Sequence, residues 1–131
     1  MTFAIYDYVM HDGHNPFKEW ARGLGKPELA KLNQKLDMLE RCGGDLPPGL
    51  FSDTSFPSIK KIRINGKVAL RPLLCRGPVD VHAEFTLLHA CIEKDRKLPK
   101  GSLEIAESRR NEIIGDNLRR TKHERVSWKA S

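Results

Sequence analysis

The sequence has no run of about 18 apolar residues, the length that a membrane-spanning helix needs. Its N-terminus also lacks the basic start and long apolar stretch of a secretory signal. We therefore expect a protein of the cytoplasm with no membrane partner. Cysteine is scarce, and Cys42, Cys75 and Cys91 form no Cys-x-x-Cys pair, which argues against a disulfide framework or a thiolate zinc site.

Acidic residues are outnumbered by basic ones, 17 to 23, which gives a formal net charge of +6. This balance favours an anionic partner, with nucleic acid first and an acidic protein second. The length of 131 residues suits one domain with one core. We place that domain at residues 1–115 and expect residues 116–131, which are basic and polar, to form a mobile tail.

Hydrophobic periodicity predicts the elements of this domain. Residues 3–9 resemble a strand, Asn15-Pro16 resembles a helix start, and a second helix opens at Pro27 and ends at Gly43-Gly44. After a loop over 45–56, strands are expected at 58–64, 67–75 and 79–93, and a last helix is expected to run from a capping Ser102 to Gly115. The order predicts an α+β fold: a twisted, mostly antiparallel sheet of about four strands, a helical hairpin on one face and a C-terminal helix.

The turn at Asn65-Gly66 allows two registers for the hairpin around it. A two-residue loop mixes apolar and basic side chains on both faces. A three-residue loop, Ile64 to Gly66, puts Ile62 with Val68 and Leu70 and gathers Lys61, Arg63 and Arg71 on the other side. Because burial decides register strongly, we favour the odd loop, and with it a sheet that has one apolar and one cationic face.

Arg71 stands inside the apolar stretch Val-Ala-Leu-Arg-Pro-Leu-Leu-Cys. A guanidinium buried without a partner is costly, so Arg71 either pairs with an acid such as Glu84 or lines a concave surface that receives an anion. Both alternatives are open from the sequence. A phosphate-binding role needs the second one, an open hollow of phosphate size.

Several short stretches between residues 69 and 109 resemble the motifs of one known family. Ala-Leu-Arg-Pro at 69–72, followed by Arg76-Gly77, is similar to the Leu-Arg strand and Arg-Gly turn of the RelE/ParE toxin superfamily, in its phage-derived HigB-like branch. The run 87–94 resembles its leucine pair, His and lysines, and 97–99 its Lys-Thr-Pro. Glu104, Ala106 and Arg109 match the helix that follows.

The resemblance implies the toxin of a type II toxin–antitoxin pair, an endoribonuclease that cuts messenger RNA on the ribosome without metal or cofactor. It also implies an antitoxin partner, usually with a helix-turn-helix. Attack by a ribose 2′-hydroxyl gathers negative charge on the phosphorane oxygens, which preorganised cations stabilise. By family position and placement, the expected catalytic residues are Arg71, His89 and Lys61, and the expected RNA-binding residues are Arg63, Arg76, Lys94 and Lys97.

One departure from the family keeps a second hypothesis open. Relatives usually carry another Arg and an aromatic residue soon after the Arg-Gly turn, where this chain has residues 78–83, with His82 as a candidate substitute. The alternative is a non-catalytic protein of the same fold that inhibits gyrase or grips nucleic acid or a partner.

Overall fold

The computed structural model describes residues 2–43, 45–47 and 49–128. Within them the chain forms three α-helices, six strands and one 3-10 turn, Asn117–Arg119. In chain order the elements are β1 (Ala4–Tyr8), α1 (Pro16–Arg22), α2 (Lys26–Cys42), β2 (Phe51–Asp53), β3 (Lys60–Ile62), β4 (Ala69–Arg76), β5 (Glu84–Glu93), α3 (Ser102–Gly115) and β6 (Arg120–Lys122). The predicted α+β class is confirmed.

All six strands belong to one mixed sheet with the order β2-β3-β4-β5-β1-β6. β1 runs parallel to β5, and the other neighbouring pairs are antiparallel. The expected four strands are therefore joined by two short ones, β2 within the expected loop and β6 within the expected tail. Both lie at the edges of the sheet, and each pairs with its neighbouring strand through three residues, β2 with β3 and β6 with β1.

The helical hairpin begins and ends close to where the sequence predicts. The Asn15 side chain accepts a hydrogen bond from the Lys18 N–H at 3.0 Å and so caps α1. α2 starts one residue before Pro27 and ends at Gly43, whose φ of 61° suits glycine. The leucine stripe of α2 is buried as predicted: Leu29, Leu32, Leu36 and Leu39.

This stripe and α1 cover one face of the sheet and form the larger hydrophobic core. Ile62, Ile64 and Leu70 belong to that core, and Val68 packs against it. The hairpin face predicted by the odd loop is therefore confirmed. The turn itself is longer than expected, because Ile64 pairs with Leu70 and five residues lie between them.

The other face of the sheet is not the purely cationic surface that we expected. Helix α3 packs on it through Ala106 and Ile113, and a second hydrophobic cluster forms there with Leu73, Cys75 and Leu88 of the sheet. α3 has buried positions facing the sheet, so it needs an apolar surface beneath it. The cations of this face are consequently restricted to the part of the sheet beside α3. Gly101, not Ser102, caps α3, and the Ser102 hydroxyl donates to the Pro99 carbonyl at 2.7 Å.

The segment after Gly115 lies against the domain that we expected to end there. β6 pairs with β1, and His123 is buried with its Nδ1 2.7 Å from Asp7 Oδ1. Val126 belongs to the larger core. The domain therefore extends to at least Val126, while residues 129–131 of the expected tail lie outside the described residues.

Candidate functional site

A β-bulge in β5 decides where His89 points. His89 pairs with Leu73 of β4, whereas Leu87 pairs with Leu74, so Leu88 is an extra residue in β5. Before the bulge, Leu87 faces the larger core and Leu88 faces α3; after it, Ala90 faces the larger core. The bulge thus turns His89 to the α3 side of the sheet, next to Leu88. Without it, strict alternation would bury His89 beneath the helical hairpin.

His89 is partly exposed, and one charged group reaches its ring from α3. Arg109 Nη1 donates to the Leu88 carbonyl at 2.9 Å and lies 3.3 Å from His89 Nδ1. Burial lowers the pKa of His89, and the Arg109 charge lowers it further. Both effects disfavour the imidazolium form, so His89 is a neutral imidazole over a wider pH range than an exposed histidine.

Arg71 faces away from the helical hairpin, as predicted, and so lies on the α3 side of the sheet, but it does not line a hollow. The residue is 4% exposed, and Nε and Nη2 donate to the two Glu93 carboxylate oxygens at 3.3 and 3.2 Å. Nη1 donates to the Leu70 carbonyl at 2.8 Å and Nη2 to Asn65 Oδ1 at 3.0 Å. Of the two alternatives, the acid pair is present, with Glu93 in place of Glu84, which pairs with Arg120.

This pairing corrects the expected phosphate-binding role of Arg71. Its donors are used inside the protein, and the Glu93 carboxylate beside it would repel a phosphate. The reason is the strand register: Arg71 lies opposite Cys91, so that Glu93, two residues further along β5, points to the same face. Arg71 therefore acts as a structural anchor that joins β4, β5 and, through Asn65, the turn that precedes β4.

Lys61 lies on the same face, in β3, opposite Leu73. Leu73 in turn lies opposite His89, so Lys61 and His89 flank one fully buried leucine across three strands. With strands about 4.8 Å apart, their Cα atoms are about 10 Å apart. Burial lowers the pKa of Lys61, and the nearby Arg63 charge lowers it further, while Glu93 acts in the opposite direction.

Exposed cations collect at the end of the sheet where β4 begins and β5 ends. The 63–68 turn precedes β4, whose first residue, Ala69, pairs with Glu93, the last residue of β5. The loop to α3 leaves from that same end and contains a tight turn, in which the Lys94 and Lys97 backbones pair. We call this set of exposed side chains the basic end: Arg63, Lys67, Lys94, Arg96, Lys97 and Lys100. Three of the expected RNA-binding residues, Arg63, Lys94 and Lys97, thus lie in one region.

Arg76 is not part of this region. It lies at the far end of β4, about 17 Å along the strand from Arg71, because five residues at about 3.3 Å each separate them. Its guanidinium lies over the rings of Phe51 and Phe85, on the side of the helical hairpin. The candidate substitute His82 is exposed in the turn that follows, at the same far end.

Sequence reasoning assigned no role to Arg109, which the structure places beside His89. Its guanidinium also lies over the Tyr8 ring, 5.1 Å from the centroid, and Tyr8 in turn donates to Glu112 at 2.9 Å. The match of Arg109 to the family helix was the one signal available in the sequence. The contact of Arg109 with His89 depends on the bulge in β5, which no local sequence pattern predicts.

No model of a protein family, no curated protein and no solved structure matches this chain. Within the described ranges, no helix combines the length and the apolar character required to cross a bilayer. Nor does any group of three or more His, Cys, Asp or Glu side chains in that part of the chain come together as metal ligands would.

Proposed function

We propose that this chain binds single-stranded RNA through the basic end and cleaves it on the α3 side of the sheet with Lys61 and His89. In biological terms it would be a ribosome-dependent messenger-RNA endonuclease, the toxin of a type II toxin–antitoxin pair. The observation that carries this proposal is the alignment of two partly exposed titratable groups, Lys61 and His89, beside a concentrated set of exposed cations.

Lys61 is the better candidate for the general base. A lysine with a lowered pKa holds more unprotonated amine at neutral pH than an exposed lysine does. In that form it can take the proton from the ribose 2′-hydroxyl as the oxygen attacks the adjacent phosphorus. The P–O bond to the 5′-oxygen of the next nucleotide breaks, and that oxygen takes a proton from solvent water. The products are a 2′,3′-cyclic phosphate and a 5′-hydroxyl. General-base assistance of this kind contributes about 10²–10⁴-fold.

The basic end supplies the affinity. Its six cations face solvent, and the only acids in the two segments that carry them, 63–69 and 93–100, are Glu93 and Asp95. Glu93 is already paired with Arg71. Each phosphate that such cations neutralise releases counterions, so binding should weaken steeply with salt. The proposal does not use Arg71 or Arg76 as RNA contacts.

The resemblance supports the biological setting. The chain contains the element order that its periodicity predicts, a strand, two helices, three strands and a helix, and adds β2 and β6. The helical hairpin covers one face of the sheet, and side chains of β3, β4 and β5 lie on the other face. This arrangement agrees with the resemblance, in which strand residues hold the RNA. On this basis we propose a cognate antitoxin with a helix-turn-helix as the protein partner, and the cytoplasm as the location.

One observation favours a second candidate function, that of a protein with the same fold that binds RNA or another partner without cleaving it. Arg71, the residue that the resemblance makes central to phosphate stabilisation, is paired with Glu93 and nearly inaccessible. Stabilisation of the phosphorane would then rest on Lys61, His89 and the basic end, without the buried guanidinium. A binder needs only the exposed cations.

The two candidates are separated by inducing the gene in a growing bacterium and mapping RNA ends by primer extension. For an endonuclease, induction arrests growth and produces new ends within translated messages. Lys61→Met should abolish both, because the base is removed. The matched control is Lys60→Met, in the same strand, since Lys60 pairs with Leu74 and its ammonium contacts Asp53 at 2.6 Å.

New ends with Lys60→Met but none with Lys61→Met support cleavage. Equal cutting by both variants contradicts the role of Lys61. Growth arrest with intact RNA and damaged DNA would instead support gyrase inhibition, and an absence of toxicity together with salt-sensitive RNA binding would support the binder.

A further inference from the structure

The ring of His89 has a donor on one side, and that arrangement limits what the ring can do. At the bulge Leu88 has no partner residue in β4, and the pairing of β1 with β5 extends as far as Leu87. Arg109 reaches this point of β5: its Nη1 donates to the Leu88 carbonyl at 2.9 Å and lies 3.3 Å from His89 Nδ1. A guanidinium has five N–H donors and no acceptor.

Since Arg109 can only donate, His89 Nδ1 is best used as an acceptor. In a neutral imidazole the proton is then on Nε2, because one ring nitrogen donates when the other accepts. A proton on Nδ1 would place two donors against each other. From the sheet, the residue opposite His89 is Leu73, which has no charge. Glu112 of α3, whose charge acts on Arg109, accepts a hydrogen bond from the Tyr8 hydroxyl.

We propose that Arg109 is a positioning residue that holds His89 in its neutral Nε2–H form, so that His89 donates a hydrogen bond to a phosphate oxygen instead of carrying a proton. The hydrogen bond from His89 to a phosphate oxygen rests on the proposed function, whereas the neutral Nε2–H form of the His89 ring does not depend on it. Arg109 needs no contact with RNA.

The lowered pKa values of the pair agree with this assignment. Burial and the Arg109 charge both lower the pKa of His89, and burial also lowers the pKa of Arg109, which remains a cation at neutral pH. The usual catalytic arrangement for a proton-carrying histidine is the opposite, with a carboxylate that accepts from Nδ1–H. A neutral histidine that only donates is a known way to stabilise a developing oxyanion.

The geometry of Arg109 also explains why it can be held so close to a histidine. Its guanidinium lies over the Tyr8 ring, 5.1 Å from the centroid, and donates to a carbonyl. Neither interaction involves a carboxylate, and although the Glu112 charge also acts on Arg109, the Arg109 charge still lowers the pKa of His89. The Tyr8 hydroxyl is in turn fixed by Glu112.

The first test measures the His89 ring by ¹⁵N NMR in the free protein, without RNA. We expect chemical shifts of the neutral Nε2–H tautomer at neutral pH, and a midpoint of protonation below that of an exposed histidine. Arg109→Met should raise the midpoint and allow the Nδ1–H tautomer, because the donor and the charge are gone. Arg110→Met, the same change in charge on the neighbouring residue of α3, should leave the His89 spectrum unchanged.

An Nδ1–H tautomer in the unmodified protein would overturn the inference, as would a midpoint that does not move with Arg109→Met. If Arg109→Met does not fold, Arg109→Lys keeps a cation above Tyr8, and the tautomer of the unmodified protein still decides the question. A failure of RNA cleavage would remove the proposed function and leave these results intact.

The second test asks what His89 does during cleavage. The amide of Gln can donate from nearly the position of Nε2 but cannot carry a proton. His89→Gln should therefore keep the cleavage rate within about tenfold, whereas His89→Ala should lower it about 10²-fold, the usual cost of removing one oxyanion donor. An equal decrease in both variants, together with a rate that falls as pH rises through the midpoint of His89 protonation in the unmodified enzyme, would show that His89 transfers a proton.

Discussion

The replacement of Arg71 by Met distinguishes a structural anchor from a catalytic cation. Met has a similar length but removes four hydrogen bonds: two to Glu93, one to the Leu70 carbonyl and one to Asn65. The side chain of Arg71 is 4% exposed and that of Glu93 is 15% exposed, so the carboxylate is left without its partner in a mostly buried place. Breaking a buried pair costs about 3–5 kcal/mol, and because Glu93 retains some access to water, we expect about 3 kcal/mol.

The assay is urea unfolding followed by circular dichroism, with Arg71→Met, Glu93→Gln and the double variant as a mutant cycle. We expect the double variant to be more stable than the sum of the two single effects predicts, by about 2 kcal/mol, since neither partner is then left alone. The control is Arg63→Met, an exposed cation of the same face, which should change stability by less than about 0.5 kcal/mol. Unchanged unfolding of Arg71→Met would refute the anchoring role and reopen its role as a phosphate ligand.

Three further outcomes follow from the same geometry. The cleavage rate should rise with pH as the Lys61 ammonium loses its proton and should level off below pH 10.5, the ordinary lysine value, which a pH–rate profile measures. Replacing Arg63 and Lys97 by Ala should weaken RNA binding and reduce the slope of log affinity against log salt by about 0.7 for each phosphate that the variant no longer neutralises, as measured by fluorescence anisotropy. Burial raises the pKa of Cys75 to about 12, so native alkylation followed by mass spectrometry should label exposed Cys42 and should label Cys75 only after unfolding.

The sequence predicted those parts of the fold in which a local pattern and the tertiary structure agree. The α2 leucine stripe has a 3.6-residue period and lies on the sheet as expected. The need to bury Ile62, Val68 and Leu70 on one face also predicted that the turn around Asn65 has an odd number of residues. The turn has five residues between Ile64 and Leu70, more than expected. In both the helix and the hairpin, one face has to be apolar because it is buried. Only one orientation of each element places its apolar side chains on that face.

The same reasoning failed where side chains from distant segments decide the outcome. The bulge at Leu88 reverses the alternation of β5, and no pattern within residues 84–93 predicts it. The charge of Arg71 marked it correctly as a residue that needs a partner. Which acid it meets depends on register, and Glu93 lies 22 residues away.

The C-terminal segment was misjudged for a related reason. Its composition is polar and basic, which is typical of a tail, yet β6 adds to the β1 edge through backbone hydrogen bonds that composition does not report. Among the described residues after Gly115, His123 and Val126 are the two with buried side chains, one in a pair with Asp7 and one in the larger core. Two such residues in an otherwise polar stretch give too weak a periodic signal to predict a strand.

The attack of the ribose 2′-hydroxyl is tested most directly with a defined messenger RNA on purified ribosomes that carries a single 2′-deoxy nucleotide at a mapped cut. The proposed chemistry predicts that this message is not cut at that position, while the all-ribose message is cut there and leaves a 2′,3′-cyclic phosphate. Cutting of both messages at the same rate would contradict the account, because the attacking oxygen would then have to come from somewhere other than the RNA.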